Sequence, residues 1–157
     1  MRVGPSPYLW GLLALLALPA AAQDASPVTA TLEDAERVYL TFQTIDLLTA
    51  RCAEETGDAA GFTAARTGWM ERNEPTQQLV GRLLAHLQVE IDEAALAPRA
   101  AEDTDAMLDS IMTLPDLCRT YLASMSAGDL DLKRVVPDLY NRLVLSDGAI
   151  AAMDRQP

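Results

Sequence analysis

The sequence predicts an all-α fold, a bundle of four or five helices stapled by one disulfide and preceded by a cleaved signal peptide. Three observations predict it. Apolar residues recur at steps of three and four along most of the chain, no stretch sustains a period of two, and the only cysteines, Cys52 and Cys118, both fall on helical apolar stripes.

The N-terminus comes first. Arg2 precedes the apolar run Tyr8 to Leu18, which is followed by Pro19 and the small residues Ala20, Ala21 and Ala22. That order is the pattern of a secretory signal, with an A-x-A cleavage site before Gln23. The run is 11 residues long, whereas a permanent membrane-spanning helix takes roughly 20. The residue after the cleavage site is Gln23 and not a cysteine, and no second apolar run of that length occurs, so neither a lipid anchor nor stable membrane insertion is expected. The expected division is residues 1–22 as signal peptide, 23–30 as flexible leader, 31–145 as helical bundle and 146–157 as C-terminal tail.

The helices follow in order. Thr31 reads as an N-cap, with Glu33 and Asp34 in the first turn where acids favour the helix dipole. Val38, Phe42, Ile45, Leu48 and Cys52 then line one face, and Gly57 closes the helix. A second helix starts near Asp58 and carries Phe62, Ala65 and Trp69 on its buried face. Pro75 has no N–H and crowds the carbonyl four residues back, so a kink or restart is expected around Asn73 to Pro75. The next stretch carries Val80, Leu84, Leu87 and Ile91 and should end before Pro98. Met107, Ile111, Leu114, Cys118, Tyr121 and Met125 form the cleanest stripe, unbroken in phase across Pro115, which predicts one kinked helix or two coaxial ones. Gly128 closes it. Leu139 and Leu143, with Val135 or Val136, mark a last short helix near Pro137, and Ser146-Asp147-Gly148 signals a turn.

Both cysteines lie on core stripes, so the expected disulfide joins the first helix to the fourth segment. Their separation of 66 excludes C-x-x-C redox chemistry, haem attachment and the usual zinc spacings. Charge narrows the partners. Without Arg2 the chain keeps 11 basic and 23 acidic residues, a net charge of −12. Phosphate backbones and anionic lipid repel such a surface, which argues against nucleic-acid binding and electrostatic membrane attachment.

The most conspicuous polar group is Trp69-x-x-Arg72-Asn73. An indole, a guanidinium and an amide on one helical turn suit a carboxylate or a sugar, but each also has a structural use: core anchor, ring cover and cap. Together with Cys52 near the end of the first helix, this pattern resembles a set of small exported helical proteins of Gram-negative bacteria. The resemblance covers roughly residues 38 to 90 and implies an exported helical fold, with no activity attached.

Catalytic chemistry is not expected. His86 is the only histidine and sits beside an apolar face with Arg82 and Glu90 at helical spacing, as a solvated pair would. A Gly-x-Ser-x-Gly elbow is absent, and the acids are spaced as caps and solvated faces. Met70, Met107, Met112, Met125 and Met153 lack Met-x-x-Met clustering, so no haem, copper or other cofactor is expected. Two functions compete: a non-catalytic periplasmic or secreted protein that binds another envelope component, and a small-molecule or cofactor-binding bundle using the space around Trp69, Arg72, Asn73 and His86.

Overall fold

The computed structural model describes residues 27–109 and 112–153. The expected signal peptide at 1–22, Gln23 to Ser26 of the expected leader, Ser110, Ile111 and residues 154–157 lie outside that range. Six helices make up the described chain: α1 Pro27–Thr56, α2 Ala59–Leu87, α3 Glu93–Leu108, α4 Leu114–Ala127, the single turn α5 Leu132–Val135, and α6 Pro137–Met153. No strand occurs among the described residues. The fold is the expected disulfide-stapled helical bundle.

The two long helices form an antiparallel hairpin. Gly57 takes the left-handed conformation at φ +69°, where glycine is strongly favoured. Asp58 then caps α2 by accepting from the Gly61 N–H. Contacts run in opposite directions along the pair, Arg66 meeting Asp46 and the Trp69 ring meeting Phe42. Helix α4 lies against both and antiparallel to α1, with Cys118 opposite Cys52 and Tyr121 opposite Thr49 and Ile45. On another side of α1, α3 begins where Gln43 bonds the Glu93 carbonyl. Helix α6 packs on α1 and α2, antiparallel to α1, through Asp34–Arg142 and Thr31–Ser146.

The expected stripes form the core. Val38, Cys52, Phe62, Trp69, Val80, Cys118 and Met125 are all fully or almost fully buried, and Ile45, Leu48, Leu84, Met107, Tyr121, Leu139 and Leu143 join them. Threonines on these helices satisfy their hydroxyls locally: Thr44 and Thr104, both buried, donate to the carbonyl four residues back. The Cys52 and Cys118 sulfurs are 2.04 Å apart, across helices whose Cα atoms at these residues approach to 5.2 Å.

Several boundaries differ from the sequence-based expectation, mostly at prolines. Pro27 opens α1, so Pro27 to Ala30 are helical and not part of a flexible leader. Thr31 is no cap but donates to the Pro27 carbonyl. Pro75 neither breaks nor restarts α2, which runs unbroken to Leu87 and ends at Gln88 in the left-handed conformation at φ +55°. Ile91 therefore lies in the connection, half-buried against the core. Pro98 sits inside α3, a helix opened by Asp92, whose carboxylate accepts from Ala94 and Ala95. Its buried face is Leu96, Ala100, Thr104 and Met107. The Met107–Met125 stripe is divided: α3 stops at Leu108, and α4 opens with Pro115 in its first turn, where a missing N–H leaves no bond unmade. Ser146, Asp147 and Gly148, expected as a turn opening a tail, are inside α6.

The interior position of Pro75 gives a testable consequence. A proline there removes the N–H that would bond the Glu71 carbonyl, and its ring crowds that carbonyl; the usual cost is about 3 kcal/mol. Pro75 is exposed, so its ring contributes little packing in return. Allowing for the looser unfolded chain, Pro75→Ala is expected to stabilise the protein by about 1–2 kcal/mol, read as a higher urea midpoint at unchanged slope.

Candidate functional site

The Trp69-Arg72-Asn73 cluster is assembled, but around the protein's own chain. Gly128 ends α4 in the left-handed conformation at φ +76°, and the chain then turns through Asp129 to Asp131 before α5. The fully buried Trp69 indole donates from Nε1 to the Leu130 carbonyl at 2.9 Å. Asn73 uses both ends of its amide: Nδ2 donates to the Trp69 carbonyl and Oδ1 accepts the Leu132 N–H, each at 2.8 Å. Arg72 donates from Nε to both oxygens of the buried Asp131 carboxylate, at 3.0 and 3.1 Å, and from Nη2 to the Met125 carbonyl. A Cβ at Gly128 would stand 3.0 Å from Asp131 Oδ2 and 3.3 Å from Arg72 Nε, so space as well as conformation calls for glycine.

Three consecutive residues, Leu130, Asp131 and Leu132, are thus each held by one member of the motif. This corrects the reading of Asn73 as a cap and leaves the cluster as a clamp on the α4–α5 connection. Asp131, and Asp34 paired through both oxygens with Arg142, are also buried acids where solvated ones were expected. His86 does not belong to the cluster. It is an exposed residue in the last turn of α2, about 25 Å along the helix from Trp69 at 1.5 Å per residue. Because α2 ends at Leu87, Glu90 is not one helical turn away from it.

Other buried polar groups are also committed to structure. Tyr121, almost fully buried, donates its hydroxyl to the Ile45 carbonyl at 3.1 Å and lies 3.0 Å from Thr49 Oγ1, which by donor count supplies its own proton to the phenol oxygen. Burial pushes the Tyr121 phenol well above its ordinary value, against the opposing effect of the Thr49 bond. A raised folded-state value means the stabilisation is present below the unfolded pKa of about 10 and is lost as pH climbs past it. In an alkaline titration, the Tyr121 phenolate is therefore expected to appear only together with loss of helicity, and Tyr121→Phe should remove that coupled step. Among the described residues, no group of three or more His, Cys, Asp or Glu side chains converges as a metal site.

One opening is not explained by packing. A cleft of about 160 Å³ lies between α1, α2 and the start of α3, lined by Val38, Tyr39, Phe42, Gln43, Asp46, Met70, Gln77, Val80 and Glu93. Gln43 donates from Nε2 to the Glu93 carbonyl at 2.9 Å, which fixes the amide orientation because only nitrogen can donate there. Its oxygen, Oε1, is then buried without a hydrogen-bond partner, the one such side-chain atom among the described residues. At the rim, Asp46 is held through both oxygens by Arg66, whose pKa that hydrogen bond raises. Sequence periodicity gives no sign of Gln43, which sits next to Phe42 on an unremarkable helical position.

The surface has a second feature. On α6, Leu145 is 73% exposed and its neighbour Val144 44% exposed. The Thr31–Ser146 hydroxyl contact sets the first turn of α1 beside them, and that turn carries Val28, 48% exposed. Compared with known proteins, the chain matches no family model, no curated protein and no solved structure.

Proposed function

We propose that the protein is an exported, non-catalytic helical bundle that acts by binding another protein of the bacterial envelope. The observation that carries this reading is the apolar edge of Leu145, Val144 and Val28, three large apolar side chains left open where α6 meets the start of α1. The Cys52–Cys118 pair supports an oxidising compartment, as does the signal-like N-terminus. No helix among the described residues is long and apolar enough to cross a membrane. With a net charge of −11 over the whole sequence, the complementary partner is a protein segment with an apolar knob flanked by basic residues.

The test places a photocrosslinking residue at Ala149, one turn beyond Leu145 on the same face, and at the exposed Ala60 as a control. The expected result is one discrete adduct from Ala149 alone, to a partner with a basic segment, abolished by Leu145→Glu while helicity and the disulfide are unchanged. Equal adducts from Ala60, a self-adduct only, or none would overturn the reading. A second reading, small-ligand binding, is favoured by the cleft between α1, α2 and the start of α3, and not by the space between Trp69 and His86.

A further inference from the structure

We infer that α3 is a detachable strap, which opens from α1 as a unit while the helices around the disulfide stay folded. The inference is independent of the α6 edge and of the small-ligand reading. It begins from how α3 is held. Helices α2, α4 and α6 each pack on at least two others, whereas α3 packs on α1 and makes no comparable contact with any other helix. Its buried face is Leu96, Ala100, Thr104 and Met107, and of these only Met107 belongs to the core that the other helices share. Ala100 and Thr104 let the two backbones run close, but side chains this small bury little apolar area.

The ties between helices are as uneven as the packing. Arg66–Asp46 joins α2 to α1, Arg82–Asp147 joins α2 to α6, Arg142–Asp34 joins α6 to α1, and Cys52–Cys118 joins α4 to α1. Among the described residues, no ion pair joins α3 to another helix. The side-chain hydrogen bond from Gln43 to the Glu93 carbonyl does join α3 to α1, but it leaves Gln43 Oε1 enclosed without a partner, a destabilising arrangement that opening relieves. Packing is also incomplete at both ends of the contact. The cleft of about 160 Å³ lies at Glu93, and an open groove of about 370 Å³ lies between Leu47 and Arg51 on α1 and Thr104 and Leu108 on α3. The limits of the moving unit are set by its neighbours: Leu83 and Leu84 anchor the end of α2, and Leu117 and the bonded Cys118 anchor the first turns of α4. Opening is thereby confined to the chain from Gln88 to Thr113. Leu47 borders α3 at the groove, and Leu40 and Thr44, both buried, share its helical face. The open form therefore presents on α1 a stripe that the closed form covers.

Native-state hydrogen exchange of the oxidised protein, followed residue by residue at increasing urea below the unfolding transition, tests this. The amides from Leu96 to Met107 are expected to share one opening, at least about 100-fold more frequent than global unfolding. Its urea dependence should be well below that of the slowest amides of α1 and α2, because less surface is exposed. A variant in the body of the bundle separates the two openings. Trp69→Phe alters contacts to Phe42 and Leu130 and none on α3. It should lower the protection of the slowest α1 and α2 amides about tenfold and leave that of α3 unchanged, since the open form keeps the Trp69 site intact. Tyr121→Phe on α4 serves as a second such variant, with the same pattern expected. If the α3 amides are as protected as those of the core, or lose protection along with them in both variants, α3 opens only with the whole protein and the inference is overturned. Exchange of each α3 amide at its own rate, with no dependence on urea, would reduce the motion to fraying and overturn it equally.

Discussion

Trp69→Ala is expected to lower the unfolding free energy by about 3–5 kcal/mol and the melting temperature by roughly 10–20 °C. Two effects combine. The indole is completely buried, edge-on to Phe42, so its removal opens a cavity at the centre of the α1–α2 hairpin. Its N–H also holds the Leu130 carbonyl, so the α4–α5 connection loses one of three attachments. Trp69→Phe separates the two, since it keeps most of the apolar volume and removes only the bond; about 1–2 kcal/mol is expected. Arg72→Ala and Asn73→Ala should be destabilising in the same direction and less than additive with Trp69→Ala, because all three hold one segment. Thermal unfolding of the four single variants and of Trp69→Ala combined with Arg72→Ala or Asn73→Ala checks this. A Trp69→Ala protein that melts within about 3 °C of the parent would show that the clamp does not support the fold.

The second large effect is at the disulfide. Replacing Cys52 and Cys118 together with alanine releases a loop spanning 66 residues, which the chain-entropy treatment values at about 4 kcal/mol. Alanine suits the test because both sites are fully buried and a serine hydroxyl would need a partner there. The melting temperature is expected to fall by roughly 12–20 °C. Reducing the parent protein should reproduce most of that fall and leave the double variant unchanged.

The faces of the helices were readable because burial imposes the 3.6-residue period. Val38 through Cys52 and Phe62 through Trp69 became core as spaced, and the two glycine ends at Gly57 and Gly128 are where the sequence placed them. The disulfide partner was fixed by there being only two cysteines. Prolines were harder, because one residue type serves opposite ends of the same rule. Pro27, Pro115 and Pro137 stand in first turns, where no N–H is missed, while Pro75 and Pro98 lie in interiors that packing on neighbouring helices sustains. Helix α3 escaped notice since its buried face uses an alanine and a threonine along with Leu96 and Met107.

The role of the tryptophan motif was legible only in part. Trp69 as a core anchor follows from its stripe. The use of Arg72 and Asn73 does not, because their partners lie 59 residues further along and belong to a connection with no periodicity of its own. The Gln43 cleft was not legible at all. A glutamine beside an apolar stripe looks the same whether its oxygen faces solvent or is enclosed by the start of a helix 50 residues away.

The position of the disulfide has one more consequence. The connection from Gln88 to Asp92 lies between the two cysteines in sequence, on the surface between α2 and α3. A protease that cuts there yields two fragments, one carrying Cys52 and the other Cys118, and the bond keeps them a single covalent body. In an environment rich in peptidases, a nicked molecule would keep its partners and its mass plus one water, and would come apart only under a reductant.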